Sequence, residues 1–138
     1  MNRIYAIVIS VMFLIIFSGC INETRPPEKA QFTDITVQQG KEMIDRGDVF
    51  ILDVRRQDEY NEGHIKGSTL IPVQDIPEKE LNESLASLPR DKKILVYCRT
   101  GRRSALASEI LVNNGFKEVY NMKGGITDWT NAGYEVEK

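Results

Sequence analysis

The sequence predicts an α/β fold, with a central parallel sheet of five strands and helices on both faces. Three observations predict it. "VFILDV" at 49–54 and "KILVY" at 93–97 are near-continuous apolar runs, as in strands covered on both faces. Strand signals alternate with helix signals, the pattern that builds a parallel sheet. Residues that start and stop helices stand at the joints. In chain order, "FTDI" at 32–35 is a short first strand. Thr36 and Gln39 have capping-box spacing for a helix running to Arg46, and Gly47 ends it. The 49–54 strand follows, then a short helix in "RRQDEYNEG", with Asp58, Glu59 and Glu62 on a solvated face. "STLIPV" at 68–73 is a third strand. Residues 77–88 form a helix with Leu81, Leu85 and Leu88 on one face, Pro77 in its first turn and Pro89 at its end. After the 93–97 strand, "SALASEILVNNG" is a helix with Leu106, Ile110 and Leu111 on one face and Gly115 as its stop. "EVYNM" at 118–122 is the last strand. "TDWTNAG" is a final short helix that packs Trp129 on the sheet, and Gly124-Gly125 is the turn before it.

The domain does not begin at Met1. Arg3 precedes an uncharged run, and Ser18-Gly19-Cys20 closes it. A basic start, an apolar stretch and small terminal residues read as an export signal over 1–19. "FSGC" resembles the end of a prokaryotic lipoprotein signal, with Phe17 where that family prefers Leu. The resemblance implies that Cys20 becomes the first mature residue and carries lipid. An uncleaved signal anchor is the alternative, since about 17 apolar residues are enough to span a bilayer. Both place the domain outside the cytoplasm on a membrane tether, in the periplasm or at the cell surface. Residues 20–31, polar and with Pro26 and Pro27, read as a linker, and 32–138 as the folded domain.

A formal net charge of -2 gives no argument for nucleic acid as a partner. The chain is expected to act as a monomer. There are two cysteines, Cys20 and Cys98. A lipidated Cys20 has no thiol, which leaves Cys98 as the sole thiol of the mature protein. No Cys/His/Asp cluster has metal-ligand spacing, so neither a metal nor a cofactor is expected. His64, the single histidine, reads as a structural residue hydrogen-bonded in the turn "EGHIKG".

Cys98 opens "CRTGRRS" at a strand's carboxyl end, where open parallel sheets bind ligands. A thiol becomes a good nucleophile when it ionises, and cations or a helix N-terminus favour that. Both are expected here. The following helix, starting near Ser104, points its free N–H groups at the loop. Arg99, Arg102 and Arg103 carry fixed charge. Gly101 allows the tight turn of an anion-binding nest, and Thr100 lies within it. Asp53 and Arg55 leave the second strand beside this loop. One reading has Asp53 hold a loop arginine or backbone; the other makes them an ordinary surface pair worth about 0–1 kcal/mol.

These residues resemble the active-site loop of the rhodanese sulfurtransferases, C-R-x-G-x-[RT]. "LDVRRQDEYNEGHIKGSTLIP" resembles that family's upstream signature, with Ser68 where alanine is common and Leu70 where asparagine is common. "NMKGGITDW" resembles its C-terminal Gly-Gly-x-x-x-Trp. Three ordered motifs over residues 32 to 138 make the match specific. The resemblance implies a rhodanese-like fold and a double displacement. Cys98 would take the outer sulfur of thiosulfate or a similar donor as a persulfide, and an external thiol or cyanide would remove it. Arg99, Thr100, Gly101, Arg102 and Arg103 would bind the donor, the guanidinium forks of Arg99 and Arg103 meeting its sulfonate oxygens. Asp53 and Arg55 would support them. Two rival functions share the pattern. One is a slow persulfide carrier or redox partner. The other is a cysteine phosphatase or arsenate reductase, whose loop arginine stands six positions after the cysteine; here that position is Ser104.

Overall fold

The computed structural model describes residues 31–138. The export signal, Cys20 and nearly all of the linker lie outside the described residues. Five strands form one sheet: β1 (Thr33–Ile35), β2 (Val49–Asp53), β3 (Thr69–Leu70), β4 (Lys93–Tyr97) and β5 (Val119–Met122). Their spatial order is β1-β5-β4-β2-β3, and every pairing is parallel. Five helices alternate with them: α1 (Val37–Arg46), α2 (Gln57–Glu62), α3 (Glu78–Ala86), α4 (Arg102–Asn113) and α5 (Gly125–Asn131). The architecture is the one expected from the alternation. Among the described residues no helix is long and apolar enough to cross a membrane.

Local chemistry accounts for the boundaries. Thr36 Oγ1 accepts from Gln39 N–H at 3.2 Å, and Gln39 Oε1 accepts from Thr36 N–H at 2.9 Å, which closes the capping box of α1. Gly47 ends α1 at φ 79°, where a Cβ would be strained. β3 is shorter than its apolar run; the bond from Ile71 N–H to Asp53 O at 2.9 Å follows its last residue, and Pro72 comes next.

The middle strand, β4, sets the position of the site. Its side chains alternate between the sheet's two faces. Ile94, Val96 and then Cys98 join Leu85, Ala107 and Leu111 on the face covered by α3 and α4. Leu95 and Tyr97 join Ile35, Met122 and Trp129 on the other. Cys98 therefore continues the apolar phase of β4 one residue beyond its end. Because all strands are parallel, the ends of β2 and β5 flank it on the same edge of the sheet.

The face of α4 differs from expectation. Ser104, Ala107, Ser108, Leu111 and Val112 face inward, Ile110 is half-buried, and Leu106 is 58% exposed. The helix begins at Arg102 and lies close on the sheet near Cys98. Small residues fit that approach, and the branched Leu106 is turned outward.

Candidate functional site

The Cys98 side chain is 1% exposed. Its Sγ accepts from Gly101 N–H at 3.1 Å and lies 3.5 Å from Ser104 Oγ. Burial raises the thiol pKa. The Ser104 hydroxyl, with the backbone N–H groups of Ser104, Gly101 and Thr100, more than offsets this, so the thiol stays below its usual value. Sequence reasoning assigned the lowering to arginine charge and the helix end. The hydrogen bonds at the start of α4 are the dominant favourable cause, in line with the helix-end expectation; Arg103 also acts on Cys98, while its strongest partner is Glu59.

Two features give the loop this shape. Gly101 sits at φ 102°, and a Cβ there would crowd the backbone of Lys123 and Gly124. The Gly124-Gly125 turn is also more than a turn. Gly125, buried at φ 56°, lies against the carbonyls of Cys98 and Arg99 with no room for a Cβ. That close approach lets Ile126 N–H donate to Cys98 O at 2.9 Å and Thr127 N–H to Arg99 O at 3.1 Å. The start of α5 thus satisfies the loop's carbonyls and leaves its N–H groups free to face the sulfur.

The mouth of the loop is made of charge. Arg103 donates to Glu59 through two nitrogens, Nη1 to Oε2 at 2.7 Å and Nη2 to Oε1 at 2.9 Å, and Arg99 Nε donates to Oε1 at 3.1 Å. Arg103 Nη1 also reaches Gln74 Oε1 at 3.1 Å. Glu59, held chiefly by Arg103, has its pKa lowered from 4.5 to about 2. The pKa of Arg103 is raised, first by Glu59. Glu59 was expected on a solvated face, yet its side chain is 14% exposed. The capping bond from Arg56 N–H to Glu59 Oε2 at 3.1 Å holds it at the first turn of α2, facing the loop. A groove of about 890 Å³ opens here, lined by Arg99, Thr100, Arg102 and Arg103 with Arg56, Glu59, Gln74 and Leu106. Four of the five predicted donor-binding residues border it. Gly101, the fifth, is buried beneath.

Asp53 and Arg55 do not form a surface pair, and Asp53 does not touch a loop arginine. Asp53 is fully buried and Arg55 is 4% exposed. Asp53 Oδ2 accepts from Arg55 Nη2 at 2.7 Å, and Oδ1 accepts from the Arg55 backbone N–H at 2.9 Å. Arg55 then donates to the carbonyls of Glu59 at 3.2 Å and Gly63 at 2.8 Å. The pair holds α2 at Glu59, in its first turn, and at Gly63, its C-cap, and so supports the loop through Glu59. Tyr97 lies beside it. Burial first, then Asp53, raises the Tyr97 phenol pKa, and its hydroxyl accepts from Ile65 N–H at 3.0 Å. His64 stacks on Tyr60, with ring centroids 3.7 Å apart. Its Nδ1 lies 3.0 Å from Tyr60 O and its Nε2 3.5 Å from Glu137. Those contacts tie the turn to the C-terminal segment. Among the described residues no group of three His, Cys, Asp or Glu could hold a metal ion.

A five-stranded parallel sheet with a buried, hydrogen-bonded cysteine at the end of its middle strand defines an α/β protein built around one cysteine thiol. The chain belongs to the rhodanese-like domain family, whose model matches residues 36–132. It is 35% identical over 101 residues to the thiosulfate sulfurtransferase GlpE of Pseudoalteromonas translucida, covering 73% of this chain and 91% of that one. It is 37% identical over 98 residues to the putative sulfur carrier protein YrkF of Bacillus subtilis, covering 70% of this chain and half of that one. A crystal structure of a rhodanese-related protein from Thermoplasma volcanium matches with a TM-score of 0.67 and 36% identity, over 76% of this chain and 97% of that one. Several of the chain's relatives are sulfurtransferases.

Proposed function

We propose that this protein takes a sulfane sulfur from thiosulfate or a similar anionic donor onto Cys98 and passes it to an external thiophile. The Cys98 thiolate attacks the donor's outer sulfur. A new S–S bond forms, the donor's S–S bond breaks, and sulfite leaves with the electron pair. A thiol or cyanide then attacks the persulfide's outer sulfur and releases the Cys98 thiolate. The observation that carries this reading is the set of donors around Sγ, Gly101 N–H and the N-terminus of α4, which suits a sulfur anion before and after transfer. Arg99, Arg102 and Arg103 on the groove would meet the donor's oxygens. Among the described residues no second thiol lies near, and a lipidated Cys20 would leave the acceptor to come from solution or from a partner. A tether through Cys20 would put this chemistry at a membrane surface outside the cytoplasm.

Phosphate-ester chemistry fits less well. Position six after the cysteine is Ser104, buried under the sulfur, and Arg103 runs outward to Glu59. No guanidinium completes the ring around a phosphate. Thiocyanate formation from thiosulfate and cyanide, followed at steady state and repeated with thiol acceptors, tests the proposal. The wild type should turn over and Cys98→Ser should not, with circular dichroism showing that the variant is folded. Rapid cleavage of an aryl phosphate with no sulfur transfer would replace this reading with the phosphatase one.

A further inference from the structure

Ser104 has one hydroxyl hydrogen and two acceptors within reach. Its Oγ lies 2.6 Å from Asn121 Oδ1 and 3.5 Å from Cys98 Sγ. One hydrogen cannot serve both. The contact to Asn121 has the length of a short, well-made O–H···O bond, and the contact to the larger sulfur atom lies within O–H···S reach. The amide of Asn121 is oriented from its far side, where Nδ2 donates to Asp34 Oδ1 at 2.8 Å. An ionised carboxylate only accepts, so the amide oxygen has to face Ser104. Ser104 and Asn121 are both buried. With its hydrogen on Asn121, Ser104 turns lone pairs toward the sulfur. Lone pairs suit an S–H donor and oppose a thiolate.

We propose that Asn121 is a positioning residue for Cys98: it holds the Ser104 hydroxyl hydrogen away from the neutral thiol and yields it to the sulfur when the sulfur becomes an anion. The inference rests on Cys98 as the reactive group and deepens that reading. The resting thiol donates to Ser104, which donates to Asn121. In the thiolate, and in a persulfide anion, the hydroxyl rotates and joins Gly101 N–H on the sulfur. Each ionisation then gives up the short Ser104–Asn121 bond, so Asn121 favours the neutral thiol.

Other charged groups surround the sulfur. Arg99 and Arg103 of the loop and α4 face it at the mouth with Glu59 of α2. Asp34 of β1 lies behind Asn121. Asp53, the last residue of β2, and Arg55 just after it lie beside Tyr97. Lys123 and Asp128 belong to the segment packed on Gly101 and Gly124. A substitution at 121 leaves these charges in place, and a double-variant comparison subtracts them.

The test is alkylation of the full chain by iodoacetamide across pH, read by mass on the peptide that carries Cys98. It measures thiolate formation and needs no sulfur transfer, so it stands if the sulfurtransferase reading fails. Asn121→Leu should lower the midpoint by about half a unit to one unit, the worth of one hydrogen bond. In a Ser104→Ala background the same change should have no effect. Asp34→Ala lies on an exposed position and tests the arrangement if Asn121→Leu does not fold. It frees the amide to turn over, and should lower the midpoint more with Ser104 present than in the Ser104→Ala background. An unchanged or raised midpoint in Asn121→Leu overturns the proposal. So does an equal shift, for either variant, with and without the Ser104 hydroxyl.

Discussion

The floor and the mouth of the Cys98 loop solve different electrostatic problems. On the floor, the sulfur meets neutral groups: Gly101 N–H, the Ser104 hydroxyl and the backbone at the start of α4. At the mouth, Arg99 and Arg103 are bound to Glu59 beside an open groove. Oriented dipoles stabilise the anion while leaving its lone pairs free to attack. At the mouth, where the proposed anionic donor would arrive from water, guanidinium groups give attraction at longer range. In the proposed reaction, stabilising the sulfur anion and gathering the donor would thus fall to largely separate residues.

The largest effect expected from breaking this division is on the floor. Gly125→Ala would push a Cβ into the carbonyls of Cys98 and Arg99 at a positive φ. A loss of roughly 2–4 kcal/mol in urea unfolding is expected, together with loss of sulfur transfer. Gly47→Ala is the control. It too has a positive φ, but open space surrounds the Cβ, so it should cost about 1 kcal/mol and leave activity intact.

A smaller effect is expected at the mouth. Arg103→Ala should raise the KM for thiosulfate by about 10- to 100-fold, the worth of a charged hydrogen bond, and change kcat little. Added salt should raise the wild-type KM in the same direction. Glu59→Gln separates the carboxylate's structural role from donor binding. It should cost about 1–2 kcal/mol at neutral pH, reduced by partial solvation. The folded-state pKa of Glu59 lies at about 2, below its ordinary 4.5. Its stabilisation is therefore complete above 4.5 and is lost as pH falls toward 2. Urea midpoints should fall across that window in the wild type and fall less in Glu59→Gln.

The sequence disclosed the two regions unequally. The floor's key residues are local: Cys98 ends an apolar run, Gly101 permits the turn, and a helix follows within a few residues. Spacing alone therefore placed them. The strand and helix alternation likewise implied a parallel sheet, though not the order β1-β5-β4-β2-β3, which depends on long-range pairing. The mouth was harder to read. Glu59 stands among acidic neighbours on a short helix, where solvation is the ordinary outcome, and its partners lie 40 and 44 residues away. "GHIKG" signalled that the segment is special without assigning Glu59 a task. Leu106 was placed on the wrong face because large apolar residues were weighted over Ser104, Ala107 and Ser108, the small ones that allow close approach to the sheet. Asp53 and Arg55 were expected near the loop, but their burial and indirect action through α2 required the packed structure. Asn121 opens "NMKGGITDW", but the signature there is the two glycines and the tryptophan, and nothing gave Asn121 itself a role.

The most direct measurement is the mass of the protein after incubation with thiosulfate, mapped to peptides. One sulfur atom should be added, on the peptide carrying Cys98 and not on the one carrying Cys20. Cyanide should remove it and yield an equal amount of thiocyanate. A folded Cys98→Ser variant should gain no sulfur. If the wild type gains none, or if folded Cys98→Ser gains as much as the wild type, the neutral floor around Cys98 is not a site for a sulfur anion in transfer.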